Sequence, residues 1–242
     1  MASPYTDPTR FVSTRYHRAW LASGCISVLI SLAKAVTGAS RSSPRTWLQL
    51  IASGLVGYVM ADLATGIYHW AIDNYGCSKT PIFGPQIESF LVHHRIPWAI
   101  ATRPVAYNLH VLAQGVTFMV LPITLLYNDP VLLGFMGVFG GCIIFCQQFH
   151  AWAHGAKPKL PQLVVALQNA GIIVPRLQHA AHHRPPYNSN YCIVSGMWNR
   201  FLDKSKFFVA LEIILFYMLG VQPRSWTEPN SESTQGTEFQ DY

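Results

Sequence analysis

Ten histidines punctuate this 242-residue chain, and eight of them fall into four groups: His69; His93 with His94; His150 with His154; and His179 with His182 and His183. Residues three or four apart share one face of a helix, which is the spacing of His150 with His154 and of His179 with His182 and His183. Asp62, Gly66, His69 and Asp73 step by four, three and four, laying two carboxylates and an imidazole along one stripe. Neutral imidazole suits iron, zinc, copper and nickel, and eight rings are more than one tetrahedral zinc needs. Two metal ions sharing the ligands is the economical reading. Soluble two-iron bundles take Glu and Glu-x-x-His ligands from facing helices, so a mostly histidine set is the counterpart expected in a membrane. Redox-inert zinc would support hydrolysis but not removal of hydrogen from an unactivated chain, and no H-E-x-x-H pattern is present. A lone histidine near a membrane interface is more often structural, and that reading applies to His17 and His110.

Something must bring four separated groups to one place. The composition, 50% hydrophobic and only 12% charged, points to lipid as the solvent of the scaffold. Four apolar stretches have the length of a crossing, about 20 residues for a hydrocarbon core of about 30 Å: Ala19 to Val36, Leu48 to Tyr68, Leu109 to Tyr127 and Pro130 to Phe149. The last two are joined by Asn128 and Asp129 in a tight helical hairpin. With the N-terminus on one side, the loop from 69 to 108 and everything after Phe149 return to that side. All four histidine groups then lie there. So do all Lys and Arg except Lys34, Arg41 and Arg45, which assigns that side to the cytosol or the stroma. The expected fold is all-α, a polytopic membrane helix bundle of about four transmembrane helices with a histidine-rich metal site at the cytosolic or stromal face. Two shorter apolar stretches, Leu160 to Val174 and Phe207 to Val221, read as helices lying on the surface. Residues 1–18 are expected to be flexible, 19–226 to form the membrane domain and 227–242 to be a disordered polar tail.

Single residues carry weaker signals. Asp62 lies in an apolar crossing, where a carboxylate is costly; with Glu88 and Gln147 it is read as a partner behind the ligands. Asp73 serves equally as a ligand or as a partner that orients a histidine. Arg95, Arg103, Arg176 and Arg184 stand near the histidines with the chemistry to hold a lipid phosphate, Arg184 being the first choice. Gly134, Gly137, Gly140 and Gly141 suit close helix packing or room for an acyl chain. The five cysteines lack paired metal spacing and read as buried thiols in a reducing compartment. A net charge of +6 is dispersed beside apolar segments, which argues for anionic lipid and against nucleic acid.

At HWAIDNYG from His69, at His93 and His94 followed by Pro97, at QQFHAWAH from Gln147 and at QHAAHHRPPYNSNYCIVSG from Gln178, the chain resembles a family of lipid desaturases. The family includes animal and bacterial plasmanylethanolamine desaturases and plant plastid desaturases, and the likeness runs from about Trp20 to Trp226. The resemblance implies two iron ions held by His69, His93, His94, His150, His154, His179, His182 and His183, with Asp73 in the matching HWAID motif, and molecular oxygen as co-substrate. Likeness to the plastid branch further implies a trans double bond at the third carbon of palmitate on phosphatidylglycerol, ferredoxin as electron donor, and a chloroplast membrane, thylakoid or envelope. Plastid members carry a long transit peptide. Residues 1–18, with Arg10, Arg15 and Arg18 against one acid, read at most as the end of one, and without plastid targeting the endoplasmic reticulum is the expected address. The rivals are desaturation of another lipid such as a plasmanyl ether lipid, lipid hydroxylation, and a non-catalytic membrane adaptor.

Overall fold

The computed structural model describes residues 11–228. Among these the regular structure is all helical, without strands: α1 Arg15–Ser40, α2 Pro44–Asn74, α3 Gly84–Arg95, α4 Val105–Leu126, α5 Pro130–His154, α6 Gln162–Asn169, α7 Arg176–His182, α8 Asn199–Lys204 and α9 Phe207–Leu219. Helices α1, α2, α4 and α5 are long and apolar enough to cross a membrane. The flexible segment expected up to residue 18 is described only from Phe11, and α1 already begins at Arg15. The tail expected from 227 lies outside the described residues after Glu228.

The helix starts follow local chemistry. Thr14 opens α1 with a reciprocal cap, its Oγ1 accepting from His17 N at 3.3 Å while His17 Nδ1 accepts from Thr14 N at 3.2 Å. Asp129 caps α5 by accepting from Leu132 N at 2.7 Å, and Pro130 occupies the first turn, where its missing N–H costs nothing. Helix α1 packs on α4 and α5, and α2 packs on α5. Close approach depends on glycine at two crossings: a Cβ on Gly24 would stand 2.8 Å from Ala113 O, and one on Gly57 would stand 2.8 Å from Phe135 O. Leu109, Val116, Val120 and Ile144 fill the space between α1, α4 and α5, whereas Leu29, Leu55, Phe118 and Leu125 face outward. An apolar exterior over helices of this length is what lipid solvates. The chain is an integral membrane protein.

Two expectations are corrected, on the helix over Leu160 to Val174 and on the burial of the cysteines. The surface helix expected over Leu160 to Val174 is helical only over Gln162–Asn169, because Gly171 takes a left-handed turn at φ +69° and Ile173 and Val174 dive inward, Val174 N donating to Val194 O at 2.8 Å. The helical spacing read for His69 with Asp73 and for His150 with His154 is met by unbroken helix, α2 running to Asn74 and α5 to His154, so these histidine groups stand on rigid elements. The thiols are not uniformly buried, since Cys77 is exposed while Cys146 and Cys192 are enclosed.

Candidate metal centre

Each histidine group reaches the centre on its own helix. His69 and Asp73 stand on the final turns of α2, His93 and His94 on the last turn of α3, His150 and His154 at the end of α5, and His179 and His182 on α7, with His183 as its cap. Their donor atoms gather in two sets, His93, His150, His154, His179 and His183 in one and His69, Asp73, His94 and His182 in the other, and within each set the atoms lie within 4.8 Å of one another. The sets are neighbours: the rings of His69 and His150 are 5.8 Å apart and those of His179 and His182 5.5 Å.

The spacings fit a cation at the centre of each set. His179 Nε2 is 2.8 Å from His154 Nε2 and 3.1 Å from His183 Nε2; in the other set His94 Nε2 is 3.1 Å from His182 Nε2. Asp73 Oδ2 stands 3.3, 3.5 and 3.4 Å from Nε2 of His69, His94 and His182. Two ligands at metal distances of roughly 2.1 Å and at right angles are separated by about 3.0 Å. Facing lone pairs repel at that distance unless a proton or a metal lies between them. Both nitrogens of His93, Nε2 of His69 and His150, Nδ1 of His179 and His183, and both oxygens of Asp73 are buried without a hydrogen-bond partner. Bare polar atoms in such number are costly, and an ion in each set would relieve the part of that cost carried by the imidazole lone pairs and the Asp73 oxygen that face it. Burial also keeps the imidazoles of the short helices neutral, holding His93, His179 and His183 well below the usual histidine range and pulling His94 down to about 4 against the opposing effect of Asp73. Neutral imidazole is the ligating form.

The rings are aimed from behind. A carbonyl oxygen only accepts, so Nδ1–H of His69 donates to Tyr191 O at 2.9 Å, that of His182 to Ser189 O at 2.8 Å, and that of His150 to Gln147 Oε1 at 3.2 Å. Each bond leaves the Nε2 lone pair facing the centre. Tyr187 lies flat on His94, ring centroids 4.5 Å apart and planes within 10°. Residues 58–226 match the lipid desaturase domain.

The chain belongs to the lipid desaturase family.

The desaturase is 57% identical to "Fatty acid desaturase 4, chloroplastic" of Arabidopsis thaliana over 92% of its own length and 68% of the relative's. It is 52% identical to "Fatty acid desaturase 4-like 2, chloroplastic" of the same plant over 93% and 80%. To the "Plasmanylethanolamine desaturase" of Myxococcus xanthus it is 34% identical over 74% and 64%. No solved structure matches it. It is thus an oxidoreductase, a fatty acid desaturase carrying histidine sets able to hold metal.

The other residues singled out from sequence are distributed as follows. Gln147 stands behind His150. Glu88 lines a polar cavity of about 400 Å³ whose wall includes His93 and His150. Asp62 does something else. Among the described residues its hydrogen bonds all go to backbone amides: Oδ1 accepts from Val194, Ser195 and Gly196 at 3.1, 2.8 and 2.9 Å, and Oδ2 from Trp198 at 3.3 Å. It holds the loop that presents Tyr191 O to His69. Of the arginines, Arg95 and Arg184 are exposed and do not line the polar cavity, Arg176 donates to Gly155 O, and Arg103 is on its wall. His17 and His110 lie against each other with centroids 4.2 Å apart and planes tilted by 36°, and belong to neither metal set.

Arg224 has no signal in the sequence that marks it. Its guanidinium donates to the carbonyls that close α2: Nε to Asp73 O at 2.7 Å, Nη1 to Gly76 O at 2.7 Å, and Nη2 to Ile72 O and Tyr75 O at 3.0 and 3.2 Å. A cation at a helix C-terminus is favoured by the helix dipole, and this one fixes the turn that carries Asp73. The turn holding Arg224 is tied down in turn by Glu212 of α9, which accepts from Trp70 Nε1 at 3.0 Å and Trp226 Nε1 at 2.9 Å.

Proposed function

We propose that this desaturase holds two iron ions, one in each histidine set, and uses molecular oxygen to introduce a trans double bond at the third carbon of palmitate esterified to phosphatidylglycerol. The observation that carries the reading is the division of nine clustered donors into two adjacent sets, His93, His150, His154, His179 and His183 against His69, Asp73, His94 and His182. Iron supplies the oxygen-dependent redox chemistry that an unactivated methylene requires. In sum the saturated lipid, oxygen, two electrons and two protons give the unsaturated lipid and two waters.

The protein's part is to position. A methylene offers no group to recognise, so regiochemistry has to come from a channel that fixes the chain against the centre while a polar site holds the head. Two lines support a plastid substrate: 57% and 52% identity to relatives named chloroplastic, against 34% to a plasmanylethanolamine desaturase. On this reading the enzyme lies in a chloroplast membrane, thylakoid or envelope, with its metal centre towards the stroma and ferredoxin as the electron donor. The test is the lipid profile of cells with and without the chain. A new phosphatidylglycerol two hydrogens lighter, with its double bond at the third carbon, is expected. An added oxygen would mark a hydroxylase, and a change confined to ether lipids would replace the substrate.

A further inference from the structure

One of the two metal sets reaches towards the surface through an aromatic ring. His69 and His182 are fully buried, whereas the side chain of His94 keeps 7% of its area exposed. Tyr187 lies on that imidazole, centroids 4.5 Å apart and planes 10° from parallel. The tyrosine is half-buried and the next residue, Asn188, is exposed, so the ring spans from a candidate ligand to the outside. The backbone is bent to hold it there. Tyr187 takes φ +59°, the left-handed region that a bulky side chain seldom enters, and its N donates to Arg184 O at 2.9 Å. Among the described residues its hydroxyl makes no hydrogen bond, so the stack on His94 is what the side chain gains from this conformation. Strain of this kind gathers where a site requires one geometry.

The ring is set among cations. Arg95 directly follows His94 at the end of α3, and Arg184 opens the turn that carries Tyr187. Both are exposed, and neither guanidinium has a hydrogen bond or ion pair among the described residues. Burial raises the Tyr187 hydroxyl above its ordinary value, Glu228 adds to the rise and Arg95 opposes it, which puts the Arg95 charge within reach of the ring. The surrounding surface has the same sign: among the described residues after α5, six exposed bases stand against one exposed acid, Glu228. Unpaired guanidinium groups on such a surface attract an acidic partner, speeding its encounter and fixing its orientation. Taken alone, the two arginines would suit any anion. The ring lying on His94 is what singles out a partner that delivers electrons.

We infer that Arg95, Arg184 and Tyr187 form the docking port for a small acidic protein that carries single electrons, which enter the set of His69, Asp73, His94 and His182 through the rings of Tyr187 and His94. The inference rests on the iron centre proposed above. Each encounter moves one electron: the carrier's reduced iron–sulfur cluster is oxidised, a ferric ion in the set becomes ferrous, and no bond or proton changes hands. Two encounters supply the two electrons of a turnover. In the test, the iron-loaded chain in phosphatidylcholine nanodiscs, free of oxygen, is mixed with an acidic plant-type ferredoxin. Binding is read by interferometry, and electron passage by the returning visible absorption of the oxidised carrier. Arg95→Gln combined with Arg184→Gln should weaken binding about tenfold at low salt, equivalent to about 1.4 kcal/mol, and the difference should vanish as salt screens the charges. Glu228→Gln should tighten it. Tyr187→Leu should bind as the parent does and slow electron passage several-fold, while Tyr187→Phe, which keeps the stacked ring, should match the parent; dithionite should reduce all of them alike. Parental binding in the double arginine variant, or a loss seen instead in Lys157→Gln combined with Lys159→Gln, overturns the docking face. Parental electron passage in Tyr187→Leu, or an equal slowing with dithionite, overturns the ring as the route. An acidic haem carrier that binds and reduces through these three residues where ferredoxin does not would remove ferredoxin as the donor and leave the port standing.

Discussion

Replacing Asp62 is expected to damage the metal centre without touching a ligand. The carboxylate is fully buried and accepts from the amides of Val194, Ser195, Gly196 and Trp198. In Asp62→Ala those donors lose their acceptor in an interior with little water to replace it. An abandoned buried donor costs about 1 to 3 kcal/mol, so four at the low end amount to about 4 kcal/mol before the loop relaxes. For a chain of this size that is a fall on the order of 10 °C in the midpoint of heat denaturation. Asp62→Asn keeps one acceptor oxygen but loses the charge, and should fall between parent and Ala. The damage has a direction, because the same loop supplies Tyr191 O to His69. Metal analysis of protein purified in detergent should therefore show loss from the set built on His69 and Asp73, leaving closer to one ion per chain than two. The parental melting midpoint together with parental metal content in Asp62→Ala would refute the chain of support from carboxylate to loop to imidazole.

Reconstitution with iron should restore turnover while zinc alone should not, although zinc is favoured over ferrous iron in general affinity; zinc-supported desaturation would end the redox reading. His154→Ala should abolish activity in protein that still inserts into membranes, whereas His17→Ala, outside both sets, should stay active, as followed by lipid mass spectrometry. Metal-stripped protein should lose stability as pH falls. His93, His94, His179 and His183 are held neutral by burial, so the unfolded chain takes up protons near its ordinary histidine value of about 6.5 while folded His94 waits until about 4. The stability is thus complete above about 6.5 and is lost on the way down towards 4. Melting midpoints that do not change between pH 7.5 and 5 would contradict this.

The parts of the molecule that obey a period were legible in the sequence. Apolar runs of crossing length marked α1, α2, α4 and α5, and i, i+3 and i+4 spacing put His150 with His154 and His179 with His182 on shared faces. Convergence of the groups followed from counting crossings. What could not be read was set by irregular backbone. Residues 183–198 have no period, so nothing in their order says that Asp62, some 130 positions earlier, will collect their amides. Arg224 was hidden for the same reason, being far in sequence from the α2 carbonyls it closes. Among the arginines, nearness in sequence to a histidine misled: Arg184 adjoins His183 yet points outward, while Arg103, nine residues from His94, lines the cavity. Leu160 to Val174 was apolar enough for one helix, but Gly171 turned its last residues into the core.

The bridge from Trp70 through Glu212 to Trp226 bears on how this protein can be handled. Trp70 is the neighbour of His69, and Trp226 sits two residues beyond the arginine that closes α2. The last turn of the described residues is therefore tied to α2 at both of its ends, and a shortened version cut at Gly220 would lose Arg224 and Trp226 together. The smallest piece fit for expression runs through Trp226, and a fused tag belongs beyond a spacer after that residue, where its bulk cannot pull on the indole that holds Glu212.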